Sequence, residues 1–319
     1  MKLNIILAIL AVVVAALVAL AMAQSTLGTK TLEKKGAPME MHGWEKVAEG
    51  LVFPEGPAWD YKDTLYFSNC HGGFITRVAP AGVDVFLRAS DSPFTFGKTN
   101  GMCVGKDGCL YACDFGVGAI VRITPAGEGS IYVNEYEGKP LTKPNDLCFD
   151  AKGNLYFTEP NGYGKDKADG RLFLVRAGTK EVVLLRGDMH FCNGVAISAD
   201  GKFLYMAESA KERVIRFPIQ DDQLLGDFTE FCSMPGGDPD GMAFDVEGNL
   251  YVAHFGGGNI RVYTPDGKLK ELIPTPGKKP SNVEFAGADM KTLYVTEDEF
   301  NQVHKRQMPI AGLKLFSTP

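Results

Sequence analysis

Apolar and polar positions along this chain alternate in short bursts, and no stretch beyond residue 23 sustains the 3.6-residue period of an amphipathic helix. A burst such as Gly241-Met242-Ala243-Phe244 borders a turn rich in Asp and Gly. Lys106-Asp107-Gly108, Ala151-Lys152-Gly153-Asn154, Ala199-Asp200-Gly201-Lys202 and Val246-Glu247-Gly248-Asn249 are such turns. Gly and Asn tolerate positive φ, so these are hairpin signals. A second burst follows, for example Leu250-Tyr251-Val252-Ala253, then a third, Asn259-Ile260-Arg261-Val262-Tyr263. Beyond the turn Thr264-Pro265-Asp266-Gly267 comes a fourth, Lys270-Glu271-Leu272-Ile273. The dipeptide Leu-Tyr marks the second burst six times, at Leu65-Tyr66, Leu110-Tyr111, Leu155-Tyr156, Leu204-Tyr205, Leu250-Tyr251 and Leu293-Tyr294, at intervals of 45, 45, 49, 46 and 43 residues. Four short strands in units of this length predict propeller blades. Six blades are expected, so the fold class is all-β: a six-bladed β-propeller with four-stranded blades, over residues 44–319. Trp44 to Phe53 has strand character but precedes the first unit. It is expected to supply the outer strand of the last blade, closing the ring and hiding two sheet edges.

Ten or eleven residues before each Leu-Tyr pair stand Glu55, Asn100, Asn145, Asn193, Asp240 and Asn282. In a blade the first strand is innermost, so these six positions should ring one mouth of the central channel. The second strand runs back antiparallel and ends at the same mouth. At that end stand Asn69, Asp114, Glu159, Glu208, His254 and Glu297, a second polar ring. The inner ring holds two carboxylates and four amides, with neither Cys nor His. Oxygen donors of this kind suit one divalent cation, calcium first, then magnesium or manganese, with zinc or iron(II) as further alternatives. At about 5 Å and an effective dielectric near 20, Glu55 and Asp240 would repel by about 3 kcal/mol without such a cation. Asn-Gly and Asp-Gly are also ordinary turn pairs, and polar channel residues can simply hold water. The pattern alone leaves both readings open.

Composition narrows the choice. The chain has 319 residues, 45% hydrophobic and 23% charged, which fits a globular domain with a real core. A net charge of −6 and scattered lysines exclude a nucleic-acid surface. Lys2 precedes an apolar run from Ile5 to Ala23 ending Ala21-Met22-Ala23, the marks of a secretory signal at residues 1–23. The run is also just long enough to span a bilayer as an uncleaved anchor. Either way the address is extracytoplasmic, periplasmic or secreted, with membrane contact only through an anchor. Residues 24–43 read as a linker. Seven cysteines, an odd number without a CxxC motif, indicate no disulfide framework, although one bridge remains open. Cys103 and Cys148 share the phase of Ala58, Ala196 and Ala243, as small buried strand residues do.

At the ring residues the chain resembles the regucalcin/gluconolactonase family of six-bladed propellers. The carrying segments are Pro54-Glu55-Gly56-Pro57, Lys143-Pro144-Asn145-Asp146-Leu147, Asn193-Gly194-Val195, Pro239-Asp240-Gly241-Met242 and Leu293-Tyr294-Val295-Thr296. The resemblance implies a metal-dependent hydrolase, usually a lactonase opening sugar lactones. It assigns metal coordination to Glu55, Asn193 and Asp240, places Asn145 at the metal or the substrate, and makes Asp240 the catalytic carboxylate. Lys143 stands where members often carry Arg; it keeps the charge but loses the planar fork. Glu159 and Glu208 stand where members often carry Asp.

In the resulting expectation, Asp240, or a surrounding carboxylate such as Glu159 or Glu208, activates water, while Asn145, Lys143 and Asn100 orient substrate. His254 is either a proton shuttle or a packed histidine. Phe94, Phe96, Phe115, Tyr163 and Phe255 are either walls of the mouth or inter-blade packing. A phosphotriester or aryl-ester hydrolase on the same site, a non-catalytic ligand-binding propeller and a strictosidine-synthase-like propeller are the competing readings.

Overall fold

Six four-stranded antiparallel sheets, five of them built from sequential strands, account for nearly all the regular structure of the described residues. The computed structural model describes residues 41 and 43–314. The expected signal or anchor and most of the expected linker lie outside these residues. Among the described residues no helix is long and apolar enough to cross a membrane.

Burial falls from the axis outward. The inner strands Pro54–Trp59 and Cys192–Ile197 are buried at every residue, whereas the outer strand Gly82–Arg88 has no buried residue. Inner strands are covered by neighbouring blades on both faces, so even their polar members Glu55 and Asn193 are buried. The Leu-Tyr repeat now has a packing reason. Each Leu is at most 3% exposed, inside the layer between blades. In the second, fourth and fifth blades the Tyr on the opposite face meets a Phe near the end of the next blade's inner strand. Tyr111–Phe149, Tyr205–Phe244 and Tyr251–Phe285 all pack edge to face with centroids 5.0 Å apart. Such pairs add about 1 kcal/mol each beyond area burial. In the first blade Tyr66 instead meets Phe86 of its own outer strand.

The hairpin turns form as their composition predicts. Asp150 Oδ1 accepts from the backbone N–H groups of Lys152 and Asn154, and Asp245 Oδ1 accepts from those of Glu247 and Asn249. These side chains mimic a backbone turn. The expected closure is present. Glu45–Ala48 pairs antiparallel with Gln302–Gln307 of the last blade, and Trp44 Nε1 donates to Pro274 O at 2.8 Å. All seven cysteines are free thiols.

Candidate metal and active site

The ring residues lie where their strands are irregular. The pairing of inner and second strands shifts register between Glu55 and Ala58, Thr99 and Met102, Cys192 and Val195, Pro239 and Met242, and Pro280 and Asn282. A bulge re-aims a side chain and ends regular pairing, and bulges concentrate beside active sites. The third blade goes further. Its inner strand is only Leu147–Phe149, so Asn145 sits ahead of it, its N–H bonded to Thr158 O at 2.8 Å. Glycines after the ring residues let neighbouring strands close in. Gly56 has φ +48°, and a Cβ there would lie 2.2 Å from Asn100 O. A Cβ on Gly194 would lie 2.2 Å from Asp240 O.

Hydroxyls clasp adjacent blades at this level. Ser68 Oγ donates to Asn100 O, Thr158 Oγ1 to Asn193 O, Ser209 Oγ to Pro239 O and Ser281 Oγ to Pro54 O, all at 2.7–2.9 Å. The backbone of the ring is thereby fixed before any ligand arrives. Two bulky residues add strain. Phe53 and Phe191, each two positions before a ring residue, have φ +56° and +55°. A left-handed Phe is costly and is held only where its surroundings over-determine it.

Within the ring the side chains have different partners. Glu55, 4% exposed, accepts from Gly56 N at 2.8 Å and Asn282 Nδ2 at 3.2 Å. Asn282 Oδ1 is taken by Val283 N, so Asn282 is occupied in aiming Glu55. Asn193 Nδ2 donates to Ser209 Oγ at 3.3 Å, which leaves its carbonyl end for another group. Asn145 Oδ1 is buried without a hydrogen-bond partner. Asp240 is 8% exposed, and no donor among the described residues reaches its carboxylate. Asn100 is half-buried and Lys143 exposed on the loop leading to Asn145.

Burial pushes the Glu55 carboxyl up to about 8. Burial also raises Asp240 well above the usual carboxylate range, and the nearby Glu55 and Asp298 carboxylates add to it. Two buried acids, an orphaned amide oxygen and a second amide oxygen left available make an all-oxygen donor set of net charge −2 when ionised. That set fits one hard divalent cation. Glu55, Asn145, Asn193 and Asp240 would hold it.

The outer ring is used otherwise. Asp114 Oδ1 and Oδ2 accept from the N–H groups of Gly97, Lys98, Gly116 and Val117. Glu159 Oε1 accepts from Thr142 and Lys143 N, while Oε2 pairs with Arg171. Glu208 accepts from His190 N and pairs with Arg213 at 2.6 Å. Glu297 accepts from Lys279, Glu299 and Phe300 N. Asn69 Oδ1 accepts from Val52 N. These side chains tie the loop entering each blade to the turn leaving its second strand. Glu159 and Glu208 are therefore occupied, and the geometry offers neither as a free base. His254, 1% exposed, bonds Met234 O through Nε2 and packs against Gly257; burial, reinforced by Arg261, lowers its pKa. It is a packed histidine.

The aromatic candidates divide. Phe94 and Phe96 stack on each other at 5.4 Å, and Phe94 lies over Gly129 of an outer strand, so both pack between blades. Phe255 does face the mouth side, 6.4 Å from Phe53 and beneath Lys279 Nζ; Phe53 in turn lies 4.6 Å from His71. Phe115 lies under Lys98 Nζ at 6.0 Å. Tyr163 reaches from the third blade to the fifth, where its OH bonds Asp238 at 2.9 Å, and it rests against Phe191 at 5.1 Å. A strap thus crosses the fourth blade beside Asp240.

Two groups were missed by reasoning from phase. Asp298, one residue past the outer ring, is 8% exposed, and neither carboxylate oxygen has a partner. Along the axis a cavity of about 80 Å³ is lined by Ala58, Cys103, Cys148, Ala196 and Ala243, together with Asp146 and Glu284. Burial pushes those two acids up to about 7 and about 8. The small phase positions therefore line this cavity; Ala58, Cys148 and Ala196 are buried as expected, whereas Cys103 and Ala243 are half-buried.

Residues 53–298 match the family model described as SMP-30/Gluconolactonase/LRE-like region. The chain is 32% identical to a gluconolactonase of Zymomonas mobilis, over 79% of this chain and 78% of that protein. It is 31% identical to the diisopropyl-fluorophosphatase of Loligo vulgaris, over 85% and 94%. A solved gluconolactonase from Xanthomonas campestris superposes with a TM-score of 0.74 at 28% identity, over 83% of this chain and 89% of that one.

Proposed function

The chain belongs to the SMP-30/gluconolactonase/LRE-like family, and from that membership and the inner ring we propose that it hydrolyses a lactone, a sugar lactone such as gluconolactone. The observation that carries this reading is the unequal partnering of the ring. Glu55 is held by two donors and Asp240 by none, so one carboxylate is built to stay and the other to react. A divalent cation held by Glu55, Asn145, Asn193 and Asp240, calcium by the hardness of its donors, would supply Lewis acidity that polarises a carbonyl and acidifies water.

The residues of the chain do the rest. Asp240 accepts the proton of the attacking water. The proton then passes to the ring oxygen as the acyl–oxygen bond breaks, and the product is a hydroxy acid. The amide nitrogens of Asn145 and Asn100 donate to substrate oxygens. The exposed Lys143 adds a mobile positive charge at the rim, while Phe53 and Phe255 narrow the mouth and displace water. The N-terminal apolar run supports an extracytoplasmic setting for the reaction.

The test is acid release by the purified chain from a panel of sugar and aliphatic lactones, with and without a chelator. Chelator-sensitive opening is expected; no opening of any lactone with any divalent cation contradicts the reading. The unheld carboxylate of Asp240 also suits direct attack on a phosphorus ester. Assay of the same preparation with a phosphotriester separates the two activities.

A further inference from the structure

Asp298 has the features of a working residue and none of a structural one. It follows the last residue of the second strand Thr292–Glu297, and its N–H bonds Lys279 O at 2.9 Å, so its backbone is held. Asp298 opens the turn that runs to Asn301, whose Oδ1 accepts from Phe53 N at 2.9 Å, two residues before Glu55. Thr296, two residues earlier, bonds Ser281, which in turn bonds Pro54 O in the first blade. Both ends of this segment are therefore tied to the chain that leads into Glu55.

The charge pattern agrees. Burial, with Glu55 next and Glu297 after it, raises the Asp298 carboxyl to about 9. Cys70, 1% exposed, lies within electrostatic reach of Glu55, Asp298 and Asp240 together, so the three carboxylates surround one region. Asp298 is 92% buried by its 8% exposure, yet neither oxygen receives a protein hydrogen bond. Its neighbour Glu297 takes three backbone donors, so the lack is not a shortage of N–H groups nearby. A buried carboxylate without donors costs stability, and such a cost persists where a ligand repays it.

We propose that Asp298 is a further positioning residue of the site, whose carboxylate takes its hydrogen bonds from O–H groups brought in from outside the protein. Those donors have two sources: water accompanying the cation, or hydroxyls of a polyhydroxylated lactone. The inference rests on the lactonase reading for the second source and on the donor set alone for the first. It adds a further side chain to the site, from a blade that otherwise contributes only Asn282. It also gives the pocket a preference for substrates that present hydroxyls on the sixth-blade side.

The experiment uses the full chain, stripped of metal, as wild type, Asp298→Asn and Asp298→Ala. Calcium alone is titrated by calorimetry, melting is followed without calcium, and kcat/KM is compared for glucono-δ-lactone and unsubstituted δ-valerolactone. If water accompanying the cation is the donor, Asp298→Ala weakens calcium binding about tenfold. If substrate hydroxyls are the donors, calcium binding holds and KM for the sugar lactone rises about tenfold while that for valerolactone does not change. In both cases the metal-free variants melt no lower than wild type, because an unpaired buried acid has been removed. Unchanged calcium affinity with an unchanged preference between the two lactones overturns the proposal. So does a lower metal-free melting temperature in both variants, which makes Asp298 part of the scaffold. If the wild type opens neither lactone, the lactonase reading fails, and calcium affinity and melting alone decide for Asp298.

Discussion

Two polar rings surround the same mouth, at two fixed phases of the same repeat, and they do opposite things. In the outer ring Asp114, Glu159, Glu208 and Glu297 accept two to four backbone or arginine donors each. In the inner ring Asn145 Oδ1 and the Asp240 carboxylate have no donor among the described residues. Carboxylates stand in both rings, and hydrogen-bond accounting sets Asp240 apart. A satisfied buried carboxylate is mortar between a loop and a turn. An unsatisfied one is an acceptor that a ligand would find unengaged.

The sharpest break between the rings is in rate. Asp240→Asn should lower kcat/KM for lactone opening by about 10³-fold with the fold intact, because a general base contributes on that order; steady-state kinetics with circular dichroism checks both parts. Glu208→Ala should do the reverse. It leaves the His190 N–H without its acceptor and Arg213 with the exposed Glu230 alone, and because Arg213 is 24% exposed the loss is about 2 kcal/mol of stability in urea unfolding. Calcium affinity should stay within about twofold, as for independent sites.

The rings should also part in their response to pH. Without metal, Glu55 keeps its proton up to about 8, above its ordinary value of 4.5. Its raised carboxyl makes the metal-free chain most stable in acid, with stability lost as pH rises from the unfolded value through about 8. Calcium must displace protons from this pair, so its affinity should rise with pH, by about tenfold per unit for each proton released. Calorimetry at pH 6 and pH 7 measures the slope; a flat profile would separate the cation from these acids. The smallest effect is expected at the strap. Tyr163 is 55% exposed, and Tyr163→Phe, which removes its bond to Asp238, should cost less than about 1 kcal/mol and change KM by about twofold.

Much of this was legible in sequence because a repeat imposes phase. The Leu-Tyr pair keeps register since each Leu fills the layer between blades and several of the Tyr rings meet the next blade's Phe. The closing strand was legible because an extra strand-like segment precedes the first unit, and the last unit, with three strands of its own, has a place for it. Glu55, Asn145, Asn193 and Asp240 share a phase and, through the family resemblance, a proposed role. What phase could not carry was partner choice. Glu159 and Glu208 looked like spare bases because their arginines, Arg171 and Arg213, come from the third strands, at spacings the repeat does not mark. Asp298 was invisible because it lies one residue off the outer-ring phase and only one blade has it. The clasps of Ser68 and Thr158 did carry a signal, a hydroxyl one position before the outer-ring residue, but hydroxyls at strand ends are too common to stand out.

The central claim is that the inner ring alone forms the cation site. Calorimetric titration of calcium into the metal-free full chain, beside Glu55→Gln and Glu159→Gln, tests it most directly. One calcium per chain is expected, bound at least about tenfold more weakly by Glu55→Gln and within about twofold of wild type by Glu159→Gln. A wild type that binds no calcium, or a Glu55→Gln variant that binds it unchanged, would contradict the claim.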